Sequence, residues 1–80
     1  MVLTKREFEI SRLFSLGFIA KEIATKLFLS KRTVESHKDH VFKKNASIRN
    51  MADLVREFMR TFGDPSTAIL LTSIIIILKA

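Results

Sequence analysis

Eighty residues carrying a formal net charge of +6 allow one small domain with a modest core, which excludes an enzyme built around a deep cleft. Fourteen Lys and Arg against eight Asp and Glu favour a polyanionic partner, because cations that neutralise phosphates release condensed counterions. Cysteine is absent, which rules out disulfides and thiolate metal sites and suits a reducing cytoplasm.

The chain opens on a well-specified helix start. Thr4 and Glu7 have capping-box spacing, and Leu3 with Phe8 can staple the entry. Ile10, Leu13 and Phe14 continue at helical spacing as core positions, and Gly17 suits the left-handed position that closes a helix. A charged helix this early leaves no room for a cleavable signal, so a cytoplasmic location is expected.

The next stretch carries most of the information. Ile23, Ala24 and Leu27 give a second helix a narrow apolar face, with Lys21, Glu22 and Lys26 left to solvent. Phe28 and Leu29 form an apolar turn, Ser30 reads as an N-cap, and a third helix starts at Lys31. On that helix only Val34, Val41 and Phe42 look core-facing. Lys31, Arg32, Thr33, Glu35, Ser36, Lys38 and Asp39 are polar and crowd its first turns, as a helix that reads base edges requires. Two short helices across so tight a break predict a helix-turn-helix.

Lys43 and Lys44 lead into a short loop over residues 45–50. Asn50 can cap a fourth helix through Met51, Leu54, Val55, Phe58, Met59 and Phe62, with Asp53 near its positive end, before Gly63, Asp64 and Pro65 stop it. Its apolar stripe is broad enough to serve both the core and a second subunit, and two-fold dimers commonly read DNA half-sites.

Taken in order, Leu3 to Glu7, Gly17 and Phe18, Lys21 to Ala24, Leu27 to Ser30, Arg32 to Val34, His37, Lys43 and Lys44, Asn50, and Asp53 with Leu54 resemble the LuxR/GerE/FixJ class of DNA-binding domains, the NarL-type output domain of response regulators. The resemblance runs from Leu3 to about Phe58. It implies an all-α, four-helix bundle at residues 1–63 whose third helix, about 31–44, lies in the major groove and whose fourth, 51–62, dimerises through Met51, Leu54, Val55, Phe58 and Met59. By position, Glu35, Ser36 and Asp39, with Lys38 close by, face base edges, while Lys21, Lys31, Arg32, Thr33, Lys43 and Lys44 hold phosphates. Implied partners are double-stranded DNA, a second copy, RNA polymerase and a fused or separate sensory domain, so the chain reads as a free-standing regulator or a piece of a longer one. No cofactor is expected.

Three departures stand out: Ile19 replaces the usual Ser or Thr cap of the second helix, Ser11 a usual aliphatic residue, and Ser47 a usual glycine. Acidic Glu35 and Asp39 at reading positions either accept from a cytosine amino group or pair with Lys31, Lys38 or Lys43 along the helix. The second case motivates a rival, an interaction protein of the same fold that has lost specific reading and pairs with another regulator.

His37 and His40, three residues apart, offer two metal ligands with Asp39 or Glu35 near, too few to assign a site. No nucleophile, glycine-rich loop or paired carboxylates suggest catalysis. Residues 64–80 form a linker and an apolar tail. As a helix, 68–78 would span roughly 16 Å, about half of a hydrocarbon core, too short to cross a bilayer alone. Packing on the bundle or on a second copy, the start of a truncated anchor, and an accidental end are the open readings.

Overall fold

The computed structural model describes residues 1–65, and the expectations for the tail lie outside them. Four helices follow in order: α1 (Lys5–Ser15), α2 (Ala20–Leu27), α3 (Lys31–Lys44) and α4 (Met51–Phe62), with no strand among the described residues. This is the expected all-α bundle.

Each helix boundary has a local cause. Glu7 N–H donates to Thr4 Oγ1 at 3.2 Å, and Thr4 N–H donates back to Glu7 Oε1 at 2.8 Å, completing the capping box. Gly17, at φ +99°, ends α1 in a Schellman arrangement: its N–H reaches the Phe14 carbonyl, while the Phe18 N–H reaches that of Leu13. Ile19 has no side-chain acceptor, so α2 starts on half a box, Glu22 accepting from Ile19 N–H at 3.0 Å. Phe28, at φ +57° and ψ +42°, closes α2 in the left-handed region and is 95% exposed. Ser30 caps α3 by accepting from Thr33 N–H, and Asn50 caps α4 by accepting from Asp53 N–H.

α1 is the hub and packs on all three other helices, while α2 also packs on α3. One core cluster joins Ile10 and Leu13 of α1 to Ile23 and Ala24 of α2 and Val34 of α3. A second sets Phe8 against Phe58 and Phe62, with ring centroids 4.9 to 5.3 Å apart. Val41, Ile48 and Leu54 form a third, which ties α3, the loop and α4 together. Arg12 donates to the Pro65 carbonyl at 3.4 Å, so the chain just past α4 folds back on α1.

Asn45 has a role that the expected loop did not foreshadow. It is buried at the end of α3, where its Oδ1 accepts from Val2 N–H and its Nδ2 donates to the carbonyls of Val2 and Val41. The amide thus pins the segment before α1 to the last turn of α3. Asn45→Ala removes three hydrogen bonds, one buried and two part-buried, and is expected to lower stability by about 2 kcal/mol, read as a lower urea midpoint with an unchanged m-value.

Candidate nucleic-acid interface

The first core cluster fixes the attitude of α3. Ile23 and Val34, both fully buried, hold α2 and α3 together over Ile10 and Leu13, so the outer surface of α3 is presented on a rigid base. Opposite the buried Val34 and Val41 lies a row at spacings of four, three and four residues: Arg32, Ser36, Asp39 and Lys43, all exposed. Its two cations stand at the ends, about 16 Å apart along the axis at 1.5 Å per residue. The short polar side chains lie between them.

The two flanks of that row differ. On one, Lys31 Nζ is 3.9 Å from Glu35 Oε1, with both side chains largely in solvent. Lysine N-terminal to glutamate is the weaker i,i+4 order, so this exposed pair contributes a few tenths of a kcal/mol at most and does not lock Glu35. On the other flank stand Thr33, His37, His40 and Lys44, with Glu7 of α1 beside them.

Lys38 does not join the outward row. It follows Val34 by four residues and precedes Val41 by three, which places it along the buried stripe, and it is half-buried. Helical geometry thus separates it from Ser36 and Asp39. Thr33 is also partly engaged, its hydroxyl 2.8 Å from that of Ser30 within the cap.

The cations expected to hold phosphates fall into three groups. Lys21 on α2, Arg32 and Lys43 are exposed and have no carboxylate within ion-pair distance among the described residues. Lys31 is loosely held by Glu35. Lys44 is committed, its ammonium bonded to Glu7 Oε1, whose side chain is only 4% exposed. Sequence spacing could not reveal that pair, because its members lie 37 positions apart.

Burial pushes the Glu7 carboxyl up, but the Lys44 hydrogen bond, the Thr4 N–H and the Lys44 charge outweigh it and hold it below its ordinary value. A carboxyl depressed in the folded state contributes stability that is full above its ordinary value and is lost as pH falls through the depressed one. Urea midpoints should therefore drop as pH is lowered from 7 towards 3. Glu7→Gln should shrink that drop, leaving the share of Asp53, which bonds to Arg49 N–H and lies beside Arg49 and Arg56, also hold down.

The expected dimer residues divide in the same way. Leu54 and Phe58 are 1% and 0% exposed inside the domain's own core, and Met51 packs against the third cluster, so these three face inward. Val55, half-buried, and Met59, 47% exposed, remain on the outside of α4. The broad apolar stripe is mainly core because α4 must cover both α1 and the end of α3. Among the described residues no helix is long and apolar enough to cross a membrane.

Comparison with known proteins agrees with this geometry. The family model for bacterial regulatory proteins of the luxR family matches residues 1–58. The oxygen regulatory protein NreC of Staphylococcus carnosus (strain TM300) is 46% identical over 54 residues, which cover 68% of this chain and 24% of that protein. NreC of Staphylococcus aureus (strain JH9) is 54% identical over 43 residues, or 54% of this chain and 20% of the relative. The chain thus spans about a quarter or less of the length of these relatives. No solved structure matches it. With its four helices, helix-turn-helix and family match together, the chain belongs to the luxR family of bacterial regulatory proteins, DNA-binding domains of transcription regulation rather than enzymes.

Proposed function

We propose that the chain is the sequence-reading unit of a cytoplasmic transcription regulator and sets the row Arg32, Ser36, Asp39 and Lys43 into the major groove. The observation that carries this reading is the row itself. Its end cations are about 16 Å apart, enough to straddle a groove about 12 Å wide and reach phosphates on both walls. Ser36 and Asp39 then face base edges, with Asp39 accepting from a cytosine amino group and Glu35 available beside it once its weak pair with Lys31 opens. Lys21 and Lys31 add phosphate contacts from one side. Lys38 and Lys44, turned to the core and to Glu7, contribute least.

Val55 and Met59 form the patch for a second copy. Two such side chains are few beside the roughly 800 Å² per partner of a standard interface, so pairing is weak in the free chain and is reinforced by adjacent half-sites. RNA polymerase and a sensory domain, fused or separate, are its further partners.

Selection of bound duplexes from random DNA, followed by gel shifts at several salt concentrations, tests the reading. A recovered site with cytosine opposite the Asp39 position, bound at least a thousandfold more tightly than random duplex, supports it. Weak, sequence-blind retention would favour the rival, an interaction protein in which the acidic side chains of the row repel DNA.

A further inference from the structure

We propose that Glu7, His37 and His40 form a binding site for a divalent transition-metal ion of the zinc class, clamping the recognition helix α3 to α1. One carboxylate oxygen of Glu7 and one ring nitrogen of each histidine all lie within 4.8 Å of one another. In α3 alone the histidines are two ligands three residues apart, their rings 6.5 Å between centroids and nearly perpendicular. The packing of α1 on α3 supplies the third ligand from far away in sequence.

The chemistry of the set suits such an ion. Two imidazoles and one carboxylate complete three corners of a tetrahedron and leave the fourth to water, the pattern of open zinc sites. Around an ion with ligands at about 2.0–2.2 Å, neighbouring ligand atoms sit roughly 3.4 Å apart. Binding would require the separations, up to 4.8 Å as they stand, to close to that value, with the exposed His40 ring free to rotate towards the half-buried His37.

Glu7 is already oriented for the task. Its buried carboxylate accepts from Thr4 N–H through the capping box, which fixes the side chain as an outer-shell partner would. Its other bond, to Lys44, comes from a flexible side chain 37% exposed, which can swing into solvent when a divalent ion takes its place. Hard oxygen-seeking ions are disfavoured, because two of the three donors are imidazole nitrogens. Occupancy would bridge the capping box of α1 to the middle of the recognition helix and release the Lys44 ammonium at that helix's end.

The test is calorimetric titration of Zn²⁺ into the 80-residue chain, with Co²⁺ absorption as a geometric readout and thermal unfolding in parallel. The expected result is saturable one-to-one binding, tetrahedral Co²⁺ bands and a raised melting midpoint. His40→Ala, at an exposed position that leaves the core untouched, should weaken Zn²⁺ binding more than tenfold and abolish the midpoint shift. Glu7→Gln, which keeps the acceptor for Thr4 N–H, should do the same with an unchanged helical spectrum, whereas Glu9→Gln should bind like the parent. The proposal is overturned if the parent shows no saturable binding, if His40→Ala binds as well as the parent, or if Glu9→Gln weakens binding as much as Glu7→Gln.

Discussion

Replacing Phe58 with alanine should cost about 3–5 kcal/mol and leave most of the chain unfolded at room temperature. The side chain is fully buried, its ring centroid is 5.3 Å from that of Phe8 and 5.0 Å from that of Phe62, and it joins α4 to α1. Truncation removes the aromatic contacts and opens a cavity where the hub helix meets its cover. For a small domain a loss of that size is comparable to its whole stability. Met59→Ala, one residue away but half-exposed, should change stability by no more than about 0.5 kcal/mol while weakening self-association. Urea unfolding with sedimentation equilibrium separates the two effects. If Phe58→Ala instead keeps parental stability and loses only self-association, α4 packs differently from the arrangement described.

The second large effect concerns DNA. Replacing both Arg32 and Lys43 with alanine removes the cations at the two ends of the row. Each neutralised phosphate contributes about 0.9 to the slope of log affinity against log salt, so the slope should flatten by nearly two. Affinity at low salt should fall by at least tenfold, and the preferred sequence should stay the same, because phosphate contacts position the helix without reading it. Lys44→Ala should change the slope much less, since that ammonium is bonded to Glu7. Equal effects of Lys44→Ala and Lys43→Ala would show that the two cations share one role.

Local signals made much of this molecule legible in its residues. The Thr4 box, Gly17 and the caps at Ser30 and Asn50 each lie within a few residues of the bonds they make, and all four function as their chemistry implies. What escaped was long-range. Glu7 meets Lys44 and the histidines, and Asn45 meets Val2, only because α3 lies across α1, which no spacing within one helix encodes.

The candidate site was legible in part. Arg32, Ser36, Asp39 and Lys43 share the outer face of α3. Lys38, which the resemblance sets close to the base-facing residues, lies by helical phase towards Val34 and Val41. The stripe of α4 is broad enough in sequence for core and interface together, and the packing of α1 separates Leu54 and Phe58, which face inward, from Val55 and Met59, which do not.

The most direct measurement is a ¹⁵N–¹H NMR titration of the 80-residue chain with its selected duplex. The account predicts that the largest shift changes fall on Arg32, Ser36, Asp39 and Lys43, with smaller ones at Lys21 and Lys31 and little change in the interior of α1. Changes confined to Val55 and Met59, or spread evenly over every exposed lysine, would contradict it.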